Sequence, residues 1–164
     1  MFTMAVGHSD DVDVDMALAA VFDECDESLK GERPSAGLLF CAWETDHRAI
    51  VDAIRSRYPG IELAGSTSNG EMSSVLGFQE DSVVLALFAS DAVDITAGLG
   101  INAGSAPRSA AWQAVEQARA KTDREPRLCI AMPAVSADPA SVLGHLREAL
   151  GPGIPILGGG AVPK

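Results

Sequence analysis

Positive charge is scarce in this 164-residue chain. Lysine and arginine together number 12, against 23 aspartates and glutamates, so the formal net charge is −11. Nucleic-acid-binding proteins need a basic surface that displaces counterions from phosphates, and anionic membrane surfaces attract basic segments electrostatically. The charge balance therefore argues against a nucleic-acid partner and against docking on an anionic membrane.

Paired cysteines and long apolar segments are also missing. The three cysteines, Cys25, Cys41 and Cys129, are widely spaced, and no Cys-x-x-Cys motif occurs. This usage predicts small core residues in a reducing compartment. No apolar run approaches the roughly 20 residues that a membrane-spanning helix needs. The N-terminus also lacks the basic start of a signal peptide, so we predict a cytoplasmic protein without membrane insertion.

Acidic residues are concentrated between residues 10 and 27. An Asp-x-Asp-x-Asp sequence at 11–15 has the spacing that opens an EF-hand loop, but Met16 stands where that loop requires glycine. Acids are favoured near a helix N-terminus, so we interpret this segment as a solvated helix face. We therefore predict no metal site here.

The apolar pattern predicts alternating strands and helices. Strands are predicted at residues 3–8, 35–43, 61–65, 82–89, 93–99, 128–132 and 154–157. Helices are predicted at residues 12–29, 46–58, 107–121 and 139–150. The strand at 35–43 has almost no polar residue, which is typical of a strand buried on both faces. We therefore predict an α/β fold.

The second half of the chain repeats the first. A shift of 92 residues places the helix cap Asp46 on a second cap, Asp138, and a shift of 93 places Gly65 on Gly158. Apolar positions of the intervening helix match as well. Each half is therefore predicted to be a β-α-β-α-β unit.

The two predicted units span about residues 1–90 and 91–164, and together they predict a layered architecture. Right-handed crossovers place both helices of a unit on one side of its sheet, so the two bare sheet faces would cover each other. This gives helix-sheet-sheet-helix layers; a single doubly wound mixed sheet is the alternative. The strand at 82–89 has no counterpart after residue 157. We therefore expect a domain truncated at its C-terminus that self-associates through the incomplete sheet.

The most polar segment with a defined backbone context follows the third predicted strand. The predicted site residues are Gly65, Ser66, Thr67, Ser68, Asn69 and Gly70, together with their repeat partners Gly158, Gly159 and Gly160. Glycines and hydroxyl residues at the carboxyl end of a strand can direct N–H and O–H groups at an anion. Glu71 stands where a phosphate-binding P-loop requires lysine. We therefore predict that the two turns meet and bind a small anionic or zwitterionic molecule.

A serine hydrolase is the alternative from a different functional class. It would use Ser66 or Ser68, with His8 as a base within roughly 2.6–3.2 Å. Ser68 has a glycine two residues after it but not two residues before it, so the nucleophile-elbow motif is incomplete. We therefore predict that the protein is not an enzyme and assign no catalytic residue.

Three segments together resemble the FIST N-terminal sensory domain family. They are Gly-Ser-Thr-Ser-Asn-Gly-Glu at 65–71, Asp-Ser-Val-Val-Leu-Ala at 81–86 and Pro-Ile-Leu-Gly-Gly-Gly-Ala at 155–161. The resemblance covers nearly the whole chain. It implies a sensory module of prokaryotic signal transduction that binds a small ligand, for instance an amino acid, and acts on a downstream signalling domain or protein.

The same resemblance leaves one alternative for the cofactor. Some FIST proteins resemble haem-binding nitric oxide sensors, so haem is the alternative to having no cofactor. The histidines of this chain are His8, His47 and His145, and they show no metal-ligand spacing. No family motif assigns a haem ligand to any of them.

Overall fold

A computed structural model describes residues 1–161 as two units. The first unit spans Met1–Ile95, and the second begins at Thr96. The first contains β1 (Phe2–Ser9), α1 (Val14–Leu29), β2 (Ala36–Ala42), α2 (His47–Arg57), β3 (Glu62–Ser68), β4 (Glu71–Ser73), β5 (Gly77–Gln79) and β6 (Val83–Ser90). The second contains α3 (Pro107–Arg119), β7 (Cys129–Ala131), α4 (Pro139–Leu150) and β8 (Ile156–Gly158).

The first unit is built on a four-stranded mixed sheet in the order β1-β6-β2-β3. β2 and β3 are parallel, whereas β6 runs antiparallel to both of its neighbours, β1 and β2. β4 and β5 form a separate antiparallel hairpin. The predicted α/β class is confirmed, with one antiparallel strand inserted among parallel ones.

Both helices of the first unit pack on one face of this sheet. Val21 of α1 and Ile50 of α2 belong to the same buried cluster as Leu39 and Leu85. Alternate strand residues point to opposite faces, and the strand members of this cluster all belong to one alternate set. This sheet is therefore not doubly wound.

Aspartate side chains begin three of the four helices. Asp13 accepts hydrogen bonds from the backbone N–H groups of Asp15 and Met16 at the start of α1. Asp46 and Asp138 cap α2 and α4 in the same way, as the repeat predicts. The acidic segment therefore includes a helix start, because a carboxylate there satisfies otherwise unpaired N–H groups.

The second unit repeats the parallel strand pair of the first. Ala131 of β7 lies opposite Gly158 of β8, as Leu39 of β2 lies opposite Gly65 of β3. A methyl group added at either glycine would overlap the carbonyl oxygen of its partner. The matched glycines are therefore explained by close approach of neighbouring strands.

The predicted strand at 93–99 is wrong, because this segment forms no ladder with another strand. Its backbone nevertheless packs on α3 as β1 packs on α1: a methyl group at Gly98 would overlap the carbonyl oxygen of Ala114, as one at Gly7 would overlap that of Val21. In the first unit β6 pairs with β1 and makes it a strand. The described part of the second unit contains no equivalent of β6.

No helix within residues 1–161 combines the length and the apolar character needed to cross a membrane. Of the cysteines, Cys25 and Cys41 are buried and Cys129 is half-buried, and all three are free thiols. Their predicted role as small apolar residues agrees with this placement.

Alanine substitutions at two glycines should change stability in opposite directions, because only Gly65 lies at the close approach of β2 and β3. Gly65→Ala should lower the free energy of unfolding by about 2–4 kcal/mol, because the added methyl group overlaps backbone. Gly144→Ala is the control, since a methyl group there meets no atom within 4 Å. It should raise stability by about 0.5–1 kcal/mol through helix propensity. Urea unfolding followed by circular dichroism measures both; equal effects would contradict this interpretation.

Candidate functional site

The predicted ligand segment 65–70 is mostly strand rather than turn. β3 continues to Ser68, three residues beyond its predicted end, and Ser66 and Ser68 lie opposite Phe40 and Ala42 of β2. Only Asn69 and Gly70 connect β3 to β4. The sequence does not predict this extension, because hydroxyl residues favour turns, whereas pairing with β2 satisfies their backbone groups.

β3 is an edge strand of the four-stranded sheet, so one side of its backbone does not pair with β2. The N–H of Glu62 donates to the carbonyl oxygen of Ser35, so the backbone of Glu62 faces β2. Alternate residues of a strand face the same neighbour, so the backbone groups of Ser66 and Ser68 also face β2. The backbone groups of Gly65 therefore point away from β2, and Gly65 is exposed. This edge has a donor and an acceptor for an extended ligand.

The repeat partners of this segment lie in the second unit. Gly158 ends β8, while Gly159 and Gly160 follow it and lead to a parallel bridge between Ala134 and Ala161. The close approach to β7 accounts for Gly158 without a ligand. That the two glycine-containing segments meet stays a prediction.

Glu71 is the buried acid of the first unit, with 3% of its surface exposed. Its Oε1 accepts a 2.6 Å hydrogen bond from the Ser68 hydroxyl, and its Oε2 accepts a 2.6 Å bond from the Ser82 hydroxyl. The backbone N–H of Ser82 also donates to Oε2, at 3.3 Å. Three donors compensate the desolvation of one carboxylate, which is the condition for burying such a group.

His8 extends this network to β1. It is 1% exposed; its Nε2 lies 3.0 Å from Ser82 Oγ, and its Nδ1 lies 2.7 Å from Ser73 Oγ. Ser73 in turn accepts from the backbone N–H groups of Val75 at 3.0 Å and Leu76 at 3.4 Å. We call Ser68, Glu71, Ser73, Ser82 and His8 the His8–Glu71 network.

The hydrogen-bond directions in the network follow from the chemistry of its members. An ionised Glu71 only accepts, so the Ser82 hydroxyl donates to it and accepts from His8 Nε2–H. Both lone pairs of Ser73 Oγ already accept backbone N–H groups, so the Ser73 hydroxyl donates to His8 Nδ1, which therefore carries no proton. The imidazole is therefore a neutral Nε2–H tautomer with both ring nitrogens satisfied.

Burial is the main influence on the protonation of His8. Desolvation lowers the pKa of His8 below its ordinary value of 6.5, and the nearby carboxylates, Glu71 first, oppose this only in part. A lowered pKa agrees with the neutral tautomer required by the hydrogen bonds. The network therefore contains one carboxylate and one uncharged imidazole at neutral pH.

The network fastens the β4–β5 hairpin to the sheet. Glu71 and Ser73 belong to β4, while their partners belong to β1, β3 and the residue before β6. His8, Ser68 and Ser82 lie on the face opposite the helices, because Gly7, Leu63 and Val83 of the alternate set face the helices. The hairpin therefore lies at the carboxyl ends of β1 and β3, on the face opposite α1 and α2.

The geometry does not fit the predicted hydrolase pair. The serines within hydrogen-bond distance of His8 are Ser73 and Ser82, rather than Ser66 or Ser68. The Ser73 hydroxyl does donate to an imidazole, as a nucleophile would. Its oxygen, however, already accepts two backbone N–H groups, which engages the lone pairs that would attack a substrate.

The three histidines differ in how many ring nitrogens their hydrogen bonds occupy. Iron binding at His8 would break one of its two buried hydrogen bonds. His47 Nε2 lies 3.1 Å from the Ala42 carbonyl oxygen, and His145 Nδ1 lies 3.2 Å from Glu148 Oε2. These two contacts use one ring nitrogen each, which is the arrangement that metal-ligating histidines commonly have, so the geometry argues against iron ligation at His8 alone.

Sequence reasoning missed Glu71, Ser73 and Ser82 as members of a site. One signal was available: Glu71 is the single charged residue between residues 63 and 79. An isolated acid in an uncharged segment is costly unless it is solvated or hydrogen-bonded. The serines carry no such signal, because their partners come from strands distant in sequence.

Comparison with known proteins gives one match. A family model described as the FIST N domain matches residues 35–162, more than three quarters of the chain. No curated protein and no solved structure shows a significant match. The matched region contains β3 and the acidic end of the His8–Glu71 network.

The buried carboxylate predicts a charge-specific loss of stability. Glu71→Gln should lower the free energy of unfolding by about 1–3 kcal/mol, because charge-assisted bonds from Ser68 and Ser82 become neutral ones. Glu80→Gln is the matched control at an exposed acid and should change stability by less than about 0.5 kcal/mol. Urea unfolding measures both; equal losses would argue against the network.

The lowered pKa of His8 predicts a pH dependence of stability. The unfolded chain binds the His8 proton near pH 6.5 while the folded chain does not, so the free energy of unfolding falls as pH decreases below 6.5. The slope from this one group approaches about 1.4 kcal/mol per pH unit. His8→Gln should flatten the stability profile between about pH 6.5 and 5.5. A steeper profile in the variant would contradict the assignment; denaturant titrations at several pH values measure it.

Proposed function

Since the chain belongs to the FIST N domain family, a family of sensory, signal-transduction domains that bind small molecules, we propose that it binds a zwitterionic metabolite such as an amino acid. The ligand would lie at residues 65–70, along the edge of β3 that points away from β2 and on the sheet face opposite α1 and α2. The family match carries the sensory part of this proposal. The hydrogen-bond directions in the His8–Glu71 network support the choice of ligand.

The Ser68 hydroxyl narrows the chemistry of the ligand. Its proton is committed to Glu71, so toward a ligand the Ser68 oxygen acts as an acceptor. An ammonium group satisfies that acceptor, whereas a carboxylate or phosphate would not. The neighbouring buried negative charge of Glu71 favours an ammonium group as well.

The other polar groups of β3 suit the carboxylate of a zwitterion. The half-buried Ser66 hydroxyl lies on the same face as Ser68, and the outward N–H of Gly65 can donate to a carboxylate. Groups suited to both charges of a zwitterion therefore lie along one edge strand. A purely anionic ligand would also be repelled by the protein's net charge of −11.

We further propose that the protein binds this ligand without catalysis, in the cytoplasm, and that the occupied state is read by a downstream signalling domain or protein. The engaged lone pairs of Ser73 support the absence of a nucleophile. The deficit of basic residues supports a partner other than nucleic acid.

Calorimetric titration of the full chain with single amino acids and with the matching carboxylates that lack the amino group tests the ligand class. An amino acid should bind, its deaminated analogue should bind at least about tenfold more weakly, and Ser68→Ala should remove most of that difference. Ser74→Ala, an exposed neighbour outside the network, is the control. Equal binding of the deaminated analogue would refute the ammonium contact.

A second measurement needs no assumption about the ligand. Native mass spectrometry of the protein purified from its own host should show a bound mass below a few hundred daltons that is lost in Ser66→Ala. A retained mass in this variant would place the ligand elsewhere.

A further inference from the structure

The connection between β3 and β4 is an Asn-Gly pair. Asn69 and Gly70 are its two residues, and neither belongs to a strand. Asn69 is exposed. Among residues 1–161, neither the Asn69 carboxamide nor the Gly70 N–H makes a hydrogen bond. A backbone nitrogen and a side-chain carbonyl carbon that can react with each other are therefore adjacent, and no described hydrogen bond engages either of them.

Packing of the β4–β5 hairpin accounts for the glycine of this pair. A methyl group on Gly70 would lie 2.5 Å from the ring of Phe78 in β5, so a larger residue would displace this ring. Position 70 therefore favours glycine for a structural reason. The same lack of a Cβ atom leaves the Gly70 nitrogen unhindered toward the side chain that precedes it. The reactive pair is thus a consequence of how the hairpin packs.

The other asparagine of the chain, Asn102, is an internal comparison. It is exposed, as Asn69 is, and it is followed by Ala103. Within the described part of the chain the N–H of Ala103 makes no hydrogen bond. The two asparagines therefore match in exposure and in the state of the following N–H. They differ in the Cβ atom beside that nitrogen, which hinders attack at Asn102.

We propose that Asn69 is a deamidation site, at which the folded chain modifies itself without an enzyme. The Gly70 nitrogen attacks Asn69 Cγ. A bond from this nitrogen to Cγ forms, the bond from Cγ to Nδ2 breaks, and Nδ2 leaves as ammonia with the Gly70 amide proton. The attack is intramolecular, so it avoids the entropy of bringing two reactants together.

Hydrolysis of the resulting succinimide ring gives two products. Water that adds at Cγ restores the ordinary main chain and leaves aspartate at position 69. Water that adds at the main-chain carbonyl carbon leaves isoaspartate, in which the main chain passes through Cβ and Cγ. In both cases one water is consumed, one ammonia has been released, and no oxidant or reductant is needed.

The isoaspartate product breaks the contact that spans this connection. The Ser68 hydroxyl donates to Glu71 Oε1 at 2.6 Å, across Asn69 and Gly70. Isoaspartate makes the connection one carbon atom longer, so β4 shifts relative to β3. The buried carboxylate of Glu71 then loses one of its three donors, and the hairpin loses its contact with β3. Aspartate keeps the ordinary main chain and leaves this contact in place.

Peptide mapping of the full 164-residue chain tests the reaction. The folded protein is incubated at mildly alkaline pH, and mass spectrometry with fragmentation that distinguishes isoaspartate should find both products at position 69. Conversion at Asn69 should be at least about tenfold faster than at Asn102, because Gly70 has no Cβ atom. Asn69→Gln is the matched variant; its side chain would have to close a larger ring, so position 69 should show no conversion in the same time. Equal rates at Asn69 and Asn102 would overturn the proposal.

A second measurement separates the folded chain from transiently unfolded molecules. Below the urea unfolding transition the conversion rate at Asn69 should stay constant, because the reaction takes place in the folded connection. A rate that rises in proportion to the unfolded fraction would mean that folding protects the pair, and the proposal would then be wrong.

Hydrogen exchange tests the effect on the hairpin. The backbone N–H groups of Val75 and Leu76 donate to Ser73. In the isoaspartate form, isolated by chromatography, their exchange should be at least about tenfold faster than in the parent chain. Asn69→Asp adds the charge without the longer main chain and should exchange as the parent does. Unchanged exchange in the isoaspartate form, or equal acceleration in Asn69→Asp, would refute the main-chain effect. Neither readout involves the proposed ligand, so failure of that proposal leaves this one intact.

Discussion

The insertion of β6 between β1 and β2 is the constraint on which the first unit depends. β6 pairs along its length with both neighbours and supplies Leu85 and Leu87, which are fully buried, to the core beneath α1 and α2. Seventy-three residues separate the end of β1 from the start of β6, so the pairing of these two strands closes a long loop. Burial of apolar area on the helix face offsets the entropy of that closure.

The polar network depends on the same insertion. Ser82 immediately precedes β6, and it connects the carboxylate of Glu71 to the imidazole of His8. The network can be buried because each donor has an acceptor and only one member is charged, whereas a protonated His8 would disturb this pattern. It thereby fixes the β4–β5 hairpin beside the hydroxyl residues of β3. Stability and the proposed ligand contacts thus share one set of hydrogen bonds.

The two units share the same local features but differ in how their strands pair. Both use an aspartate cap before the second helix, a glycine where neighbouring strands approach closely, and a helix side chain that bonds to the outer edge of the first extended segment. The first unit adds β6, and its first segment becomes a strand. In the second unit the corresponding segment packs on α3 but lacks a neighbour to pair with, so its inner backbone groups remain unpaired within the described chain.

The sequence by itself determined the elements whose signals are local. Apolar periodicity located α1 to α4 and the buried strands, because side-chain direction follows the helical or extended period of the backbone. Asp46 and Asp138 could be assigned as caps because capping requires a short acceptor side chain at the helix start. The matched caps, apolar helix positions and strand-end glycines revealed the repeat, and the glycines match because each close strand approach excludes a Cβ atom.

Tertiary structure decided everything that depends on partners distant in sequence. The segment at 93–99 has the composition of a strand, but a strand exists only where a neighbour supplies hydrogen bonds. β3 extends through Ser68 because β2 lies beside it, although its hydroxyl residues favour turns when considered alone. The burial of Glu71 and the uncharged state of His8 arise from residues that come together only when β1, β4 and the start of β6 meet. Local propensity carries no information about that meeting, because the hydrogen bonds that connect His8 to Ser73 and Ser82 join residues 65 and 74 positions apart.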